Sequence, residues 1–368
     1  MRWSRKSELG IHQFVPSFSP GDAIGSEVIA LQRTFREWGA VSRIYAGNIH
    51  AALEGRADYF ERYHSSPDDV AIFHFAIGSP LSVFVEKLPI RKVLLYHNIT
   101  PAHYFRGHNP ELVALLERAH EELASFRDSC SLALADSEYN RKDLEGLDFP
   151  RTAVLPILLD MGRYQETDER VLRAYAGGGP RFLSVSRIVP SKRIEDVVRI
   201  FYYYRKCISS QAQLFLVGSG DTGGNYLPRL KQFVVSLGLE GVVFTDSVSD
   251  AVLAAYYQLA DAFLTMSEHE GFCMPLVESM LFDVPIVAYK AGAVPYTLDG
   301  AGILVNRKDP AEIAELLHVI VRDPGLKARL LSRQRARLEF FRPERVKTLL
   351  RGYLEKLGIV FPHPGQGA

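Results

Sequence analysis

Short apolar runs alternate along the chain with longer stretches whose apolar residues recur at helical spacing. Strands buried in a parallel sheet are continuous apolar runs, so this alternation predicts βα units. In the first half of the chain we predict strands at residues 11–15, 42–46, 70–76, 92–97, 131–135 and 152–156. In the second half we predict them at residues 182–185, 214–217, 242–245, 262–266, 286–289 and 302–305. The pattern is typical of an α/β protein with parallel sheets.

Amphipathic stretches between these runs predict the helices. The clearest begins at Pro110, because Asn109 suits the N-cap and proline suits the first helical position. The predicted helices are residues 24–38, 80–87, 110–126, 138–144, 194–206, 226–237, 250–259, 275–282, 310–321, 326–340 and 343–357. Gly-Gly-Gly-Pro within residues 173–180 predicts a linker between two series of βα units.

The length of 368 residues favours two domains. We expect residues 1–165 to form an N-terminal Rossmann-like domain and residues 166–342 a C-terminal Rossmann-like domain. Open parallel sheets bind ligands at the carboxyl ends of their strands, so two such domains are expected to face each other across a cleft.

Composition excludes several classes of protein. Lys+Arg and Asp+Glu both number 43, so a protein that binds nucleic acid by neutralising phosphates is not expected. No apolar run is long enough to cross a bilayer, and the N-terminus lacks the apolar stretch of a secretory signal. The three cysteines have no paired spacing, which argues against a disulfide framework and a zinc ribbon. A cytoplasmic protein is expected.

Residues 267–280 carry the best local signal for chemistry. A predicted strand ends before them, a short loop contains Glu270 and Gly271, and a helix is predicted to start at Pro275. Backbone amides at such a helix start can bind phosphate, and the carboxylates of Glu270 and Glu278 can accept from sugar hydroxyls. A lone glutamate at a helix start more often only complements the helix dipole, which is the alternative for Glu278.

The spacing of Glu270 and Glu278 resembles the Glu-x7-Glu signature of retaining glycosyltransferases of family 4, which have the GT-B fold. Residues 184–192, 214–220 and 160–164 are similar to three further motifs of that family and occur in its order. The sequence departs from the family at Ser186 and Arg193, where glycines are usual. Arg193 leaves its turn less free to adopt a positive φ.

The resemblance implies that the N-terminal domain lies on the acceptor side, that the C-terminal domain binds the donor, and that the helix at 343–357 packs back on the N-terminal domain. It also implies roles for individual residues. Arg187 and Lys192 would hold the leaving diphosphate, His97 would touch the donor hexose, and Glu270 would complete the catalytic set; the alternative for the two cations is solvated surface charge. The backbone after residue 245 would read the nucleobase. The expected nucleotide-sugar-binding residues are Gly21, Asp22, Gly218, Ser247, Val248, Phe272, Cys273, Met274, Pro275, Leu276 and Glu278. Asp22 replaces a family glycine beside the donor phosphates, where a carboxylate would repel them.

Two other chemistries are weaker interpretations. Gly218, Gly220 and Gly223 mimic a dinucleotide fingerprint, but the third glycine lies in a loop ahead of the helix and the strand is the second of its domain. His97 and the two histidines at 103 and 108 fit no known zinc spacing. We expect no metal and no cofactor, since a nucleoside diphosphate sugar is the substrate.

The function expected from the resemblance is transfer of a hexose from GDP-mannose or a UDP-hexose to a sugar or lipid-linked acceptor hydroxyl, with retention and without metal. The expected partners are these donor and acceptor substrates, with peripheral contact at the inner membrane face. A GT-B nucleotide-sugar epimerase and a non-catalytic nucleotide-sugar-binding protein are alternatives. A phosphorylase-like enzyme would need a lysine-bound pyridoxal phosphate.

Overall fold

The computed structural model describes residues 8–19, 23–220 and 224–362. The chain divides into two compact units. Unit 1 comprises Met1–Ile99, Ala114–Asp160 and Arg342–Ala368, and unit 2 comprises Thr100–Val113 and Met161–Phe341. No helix within the described ranges is both long and apolar enough to span a membrane.

Unit 1 contains a seven-stranded sheet in which every neighbouring pair of strands is parallel. Its strands are β1 (Ile11–Phe18), β2 (Ile44–Ile49), β3 (Asp58–Tyr59), β4 (Val70–Phe75), β5 (Arg91–Tyr96), β6 (Leu132–Ala135) and β7 (Thr152–Val154). Their order is β3-β2-β1-β4-β5-β6-β7, so the chain reverses direction across the sheet between β1 and β4. This is the doubly wound arrangement in which ligands bind beyond the carboxyl ends of the strands.

Unit 2 contains a six-stranded parallel sheet with the same pattern. Its strands are β8 (Arg181–Val185), β9 (Gln213–Val217), β10 (Val242–Phe244), β11 (Ala262–Thr265), β12 (Ile286–Tyr289) and β13 (Ile303–Val305). Their order is β10-β9-β8-β11-β12-β13, with the reversal between β8 and β11. The loops that follow β8 and β11 are therefore neighbours.

The helices cover the two sheets and bury their apolar faces. They are α1 (Ala23–Glu37), α2 (Pro80–Glu86), α3 (Pro110–Ser125), α4 (Glu138–Gly146), α5 (Glu169–Ala174), α6 (Ile194–Tyr203), α7 (Tyr226–Ser236), α8 (Asp250–Leu259), α9 (Met274–Leu281), α10 (Val294–Leu298), α11 (Pro310–Arg322), α12 (Pro324–Leu338) and α13 (Pro343–Lys356). The Asn109 side chain accepts from the amide of Leu112 at 3.1 Å, which confirms the predicted N-cap of α3.

The C-terminal helix α13 belongs to unit 1. Val346, Leu350 and Leu354 lie on one face of α13 and are fully buried in the core formed by α1 and the central strands. These positions are four residues apart, so their side chains form one apolar stripe. Helix α13 therefore contributes to the core of the unit that also contains the N-terminal segment Met1–Ile99.

Two details of the predicted organisation are wrong. The predicted linker at residues 173–180 lies inside unit 2, and α5 begins ahead of it, capped by the Asp168 side chain, which accepts from the amides of Arg170 and Val171. The boundary between the units falls instead at Asp160 and Met161. Glycines beside the first strand of a sheet indicate a turn as well as they indicate a linker.

Candidate functional site

The predicted chemistry in unit 2 gathers on the adjacent loops that follow β8 and β11. The amide of Glu268 donates to the carbonyl of Ser191 at 2.9 Å, and the Ser267 hydroxyl donates to carbonyl oxygens on both loops. These bonds hold the two loops together without a regular strand pair. Side chains from both loops therefore lie side by side at the carboxyl end of the sheet.

Lys192 and Glu270 meet across these two loops. The Lys192 Nζ lies 2.7 Å from Glu270 Oε2, and the exposed fractions of the two side chains are only 14% and 9%. Lys192 Nζ also donates to the carbonyl of His269 at 3.4 Å. The structure therefore brings together two residues that the resemblance placed in the catalytic set, and Lys192 is not a free surface lysine.

Arg187 differs from Lys192 in its surroundings. Its side chain is exposed at the turn after β8, and it has no ion-pair partner among the residues that the structure describes. An exposed guanidinium at this position remains available to an anion, because it has five N–H donors and cannot be deprotonated. The predicted role of Arg187 in binding a diphosphate remains a prediction.

Arg193 corrects the expectation about its turn. It adopts φ +52°, the left-handed conformation in which the related family has glycine, despite its long side chain. Ion pairs hold its guanidinium to Glu195 at 2.8 Å, to Asp196 at 3.0 Å and to Glu268 at 3.5 Å. The three carboxylates stabilise the conformation, which is uncommon for a residue with a Cβ.

Gly218 is required by the way the loops after β8, β9 and β10 meet. It has φ +137°, and a Cβ added there would lie 1.9 Å from the carbonyl oxygen of Ser186. Its amide donates to the carbonyl of Asp246 at 3.1 Å. Any larger residue at 218 would push these loops apart. Glycine is therefore required at position 218 by the backbone of these loops. A glycine also lets a ligand approach the main chain closely.

Glu278 lies between the hydroxyls of two tyrosines. It is 3% exposed, and its Oε2 accepts from the hydroxyl of Tyr257 at 2.7 Å. Its Oε1 accepts from the hydroxyl of Tyr164. Burial, with the Glu278 charge adding to it, raises the pKa of both phenols, so both stay protonated as donors. Two of about four lone-pair positions of the carboxylate remain for a ligand.

The helix that carries Glu278 begins one residue earlier than predicted. α9 starts at Met274 with Pro275 second, so Glu278 opens the second turn rather than lying in the first. Cys273 precedes the helix at φ +68° and is buried beside Glu270. Burial raises the pKa of the Cys273 thiol well above its usual value, and the Glu270 charge adds to this effect. The thiol is therefore uncharged, and it lies in the loop expected to contact the donor.

The other predicted site residues differ from one another in exposure. Ser247 is exposed and Val248 is half-buried in the loop after β10, while Phe272 and Leu276 are buried around α9. Gly21 and Asp22 lie outside the described residues, as does Gly223 of the dinucleotide fingerprint. α7 begins at Tyr226, so Gly223 precedes the helix in sequence, as we predicted against a dinucleotide fingerprint.

A cavity of about 560 Å³ adjoins the turn of Arg193 within unit 2. Its walls include Arg193, Glu268, Tyr104 and Arg229. This volume lies within the range of small-molecule sites, about 300–1,000 Å³. None of the predicted site residues within the described ranges lines it, although Arg193 and Glu268 are direct neighbours of Lys192 and of the loop that carries Glu270.

Within the described part of unit 1, His97 is the one predicted site residue, and it follows the last residue of β5. Its Nδ1 lies 3.0 Å from Asp136 Oδ2, and its Nε2 lies 2.9 Å from His74 Nδ1. Glu27 Oε2 lies 3.8 Å from the same Nε2. Sequence reasoning missed His74, Asp136 and Glu27, because they are far apart along the chain and none of them lies in a recognisable motif.

Part of the chain is similar in sequence to known proteins. Residues 166–337 match the family model for glycosyl transferases group 1. The GDP-mannose-dependent alpha-(1-6)-phosphatidylinositol monomannoside mannosyltransferase of Mycolicibacterium smegmatis is 28% identical over 227 residues, which are 57% of this chain and 58% of that protein. The chain spans 47%, 29% and 38% of the length of three further curated relatives.

Solved structures establish the fold. The sucrose-phosphate synthase of Thermosynechococcus elongatus superposes with a TM-score of 0.75 at 16% identity, over 95% of this chain and 99% of that one. Anabaena Alr3699/HepE, in complex with UDP-glucose, gives a TM-score of 0.69 at 19% identity, over 94% of this chain and 99% of that one. With a doubly wound parallel sheet in each unit, these likenesses confirm the predicted GT-B fold class.

Proposed function

We propose that the chain is a glycosyltransferase that moves a hexose from a nucleoside diphosphate sugar to an acceptor hydroxyl, because residues 166–337 match the family model for glycosyl transferases group 1. The observation that carries the proposal is the nearly buried Lys192–Glu270 pair at the carboxyl ends of β8 and β11. An ammonium held at this end of the sheet can stabilise the charge that grows on a departing diphosphate. The ion pair with Glu270 fixes the position of the Lys192 ammonium.

We infer that unit 2 binds the donor. The exposed Arg187 supplies a second cation for the diphosphate, and Glu278 accepts from the ribose hydroxyls with the lone pairs that Tyr164 and Tyr257 leave open. Preorganised cations reduce the barrier because they need not reorient as charge develops. On this account the diphosphate is bound by protein groups and needs no divalent metal.

The donor class that we propose is GDP-mannose or a UDP-hexose. A relative named as GDP-mannose-dependent and a structural neighbour solved with UDP-glucose support both members of this class. The proposed acceptor is a sugar or a lipid-linked sugar. Transfer with retention follows from the family resemblance, with the acceptor attacking the face from which the diphosphate departs.

The direct test is turnover with UDP-, GDP- and dTDP-hexoses, each with octyl α-mannoside or octyl β-glucoside as acceptor. We expect release of nucleoside diphosphate together with a glycoside whose anomeric configuration, read by NMR, is that of the donor. Glu315→Gln, an exposed glutamate on α11, is the matched control and should behave as wild type. An altered hexose recovered from donor alone would instead support an epimerase, and an inverted product would overturn retention.

Metal independence has its own test. We expect turnover to be unchanged in EDTA and unchanged when Mg²⁺ or Mn²⁺ is added back, because Lys192 and Arg187 supply the positive charge at the diphosphate. Loss of turnover in EDTA that Mn²⁺ or Mg²⁺ restores would contradict this part of the proposal.

A further inference from the structure

Both ring nitrogens of His97 are engaged inside unit 1. The side chains of His97 and Asp136 are 3% and 2% exposed, and His74 is fully buried. A histidine can offer a ligand a proton, a lone pair or neither, depending on which nitrogens carry protons. The hydrogen-bond partners of this ring determine which of these applies.

A backbone carbonyl sets the direction of the chain of hydrogen bonds that reaches His97. Gln13 Nε2 donates to the carbonyl of Val28 at 2.8 Å, and a carbonyl can only accept. The amide oxygen of Gln13 therefore faces His74 Nε2, 3.1 Å away, and must accept from it. His74 thus carries its proton on Nε2.

His74 has no second proton to give. Its burial, to which the charge of His97 adds, lowers the pKa of His74 well below the ordinary value, so the ring is neutral. A neutral imidazole with its proton on Nε2 accepts at Nδ1. The 2.9 Å contact from His97 Nε2 to His74 Nδ1 then requires a proton on His97 Nε2.

Two carboxylates lie close to the His97 ring, one near each nitrogen. Asp136 Oδ2 lies 3.0 Å from Nδ1, and Glu27 Oε2 lies 3.8 Å from Nε2 with no hydrogen-bond partner of its own among the described residues. Burial raises the pKa of Asp136, and the positive charge of His97 lowers it. Because two carboxylates face the ring, a second proton on His97 supplies the positive charge that balances them, and we assign the proton between His97 and Asp136 to Nδ1. His97 is then protonated at both nitrogens.

A metal ion is the alternative occupant of this cluster. Glu27, His74 and His97 offer three ligand atoms within 4.8 Å of one another. The two imidazole planes, however, are 6° apart and their centroids 5.2 Å, so the 2.9 Å line between the nitrogens runs nearly along the line of ring centres. Each lone-pair direction points at the other nitrogen, and an ion about 2.0 Å from both could not lie on either direction. A shared proton fits this geometry.

We propose that Gln13, His74 and Asp136 are positioning residues that hold His97 as a fixed imidazolium, with neither ring nitrogen free to bind a hexose. The ring fixes the start of the loop after β5, where Asn98 adopts φ +78°. The protonation state of His97 is independent of the proposed function, whereas its expected effect on turnover rests on the proposed glycosyl transfer. His97 acts there through its charge and its place at the head of the loop, not through a hydrogen bond to the donor.

The protonation state is tested by NMR of the full-length protein labelled with ¹⁵N-histidine, at pH 7.5. The His97 signals are assigned by their loss in His97→Gln, and His120→Gln, an exposed position on α3, is the matched control. We expect both His97 nitrogens to be protonated, and to remain so when UDP-glucose or GDP-mannose is added. A bare ring nitrogen in the wild-type protein, or one whose signal moves on adding either sugar nucleotide, would overturn the proposal.

Two variants separate positioning from simple packing. In Asp136→Asn the uncharged amide no longer balances the imidazolium, so His97 should lose one proton. His74→Leu removes the acceptor and should have the same effect; Asp136→Asn decides the question if His74→Leu does not fold by circular dichroism. We expect kcat to fall at least tenfold in Asp136→Asn while KM for the donor stays within twofold.

A raised KM with unchanged kcat would contradict the positioning role of Asp136. Absence of turnover in the wild-type protein would overturn the proposed function, but it would not affect the NMR result on His97.

Discussion

Glu27→Gln removes one buried ionisable proton from unit 1 and leaves the shape of the side chain almost unchanged. Glu27 is 1% exposed, and its Oε1 accepts from the amide of Leu158 at 3.1 Å, a bond that glutamine retains. Burial raises the pKa of Glu27 from 4.5 to about 7; the charge of Asp136 adds to this effect and that of His97 opposes it. The folded state therefore holds a proton that the unfolded chain releases at lower pH.

The sign and size of the effect on stability follow from that difference. Below pH 4.5 both states are protonated at Glu27, and the carboxyl adds no pH dependence to the free energy of unfolding. As pH rises from 4.5 to about 7, the unfolded state alone releases the proton, so stability falls. A difference of this size corresponds to about 3 kcal/mol. Above pH 7 the loss is complete.

The assay is urea unfolding at several values from pH 5 to pH 8, followed by tryptophan fluorescence. Trp38 lies in unit 1 and contacts Phe35 and Phe361 edge-on, so its emission reports on the unit that contains Glu27. The chain has two tryptophans, and a Trp3→Phe background leaves Trp38 as the single reporter.

We expect the stability of the wild-type protein to fall by up to about 3 kcal/mol more than that of Glu27→Gln between pH 5 and pH 8. Glu54→Gln, an exposed position of the same unit, is the control and should follow the wild-type curve. Parallel curves for wild type and Glu27→Gln, within about 0.5 kcal/mol, would show that Glu27 is ionised throughout this range and that burial does not raise its pKa.

Two further changes test the site in unit 2. Lys192→Met should destabilise the protein by about 3–5 kcal/mol in chemical unfolding, because it leaves the Glu270 carboxylate buried and unpaired, and Lys192→Met with Glu270→Gln should recover most of this loss. A cost below about 0.5 kcal/mol for Lys192→Met would mean that the pair is solvated. Gly218→Ala should cost more than about 2 kcal/mol, because its Cβ would meet the Ser186 carbonyl at 1.9 Å and the residue needs a positive φ. An unchanged melting temperature for Gly218→Ala would contradict the packing of these loops.

The strands could be predicted from the sequence because each is an apolar run bounded by polar loops, and parallel sheets bury both faces of their strands. β3 was missed, since Asp58–Tyr59 contains no apolar run and forms only by pairing with β2. α5 was missed because it is only six residues long, too short for its apolar residues to repeat at helical spacing. The local sequence pattern does not show that a short segment will pair with the edge strand of a sheet.

The candidate site was predicted only in part. The loops with Lys192 and Glu270 could be identified, because each follows a strand and carries a recognisable motif. The partners of Glu278 could not: Tyr164 precedes it by 114 residues, and Tyr257 lies on an apolar helix, where an aromatic residue normally indicates core. His74 likewise lies inside a fully buried strand. Such partners are set by the register of the sheet and the packing of helices rather than by neighbouring residues.

Calorimetric titration of the protein with UDP, GDP and dTDP measures nucleotide binding at the proposed donor site without the donor sugar or the acceptor. We expect one equivalent of at least one nucleotide to bind to wild type and to Glu315→Gln. We expect the affinity of Glu278→Gln to be weaker by about 1.5–3 kcal/mol, since the ribose hydroxyls lose a charged acceptor. Binding that is equally tight in Glu278→Gln would remove Glu278 from the site, and the absence of binding of all three nucleotides to wild type would contradict the proposed donor site.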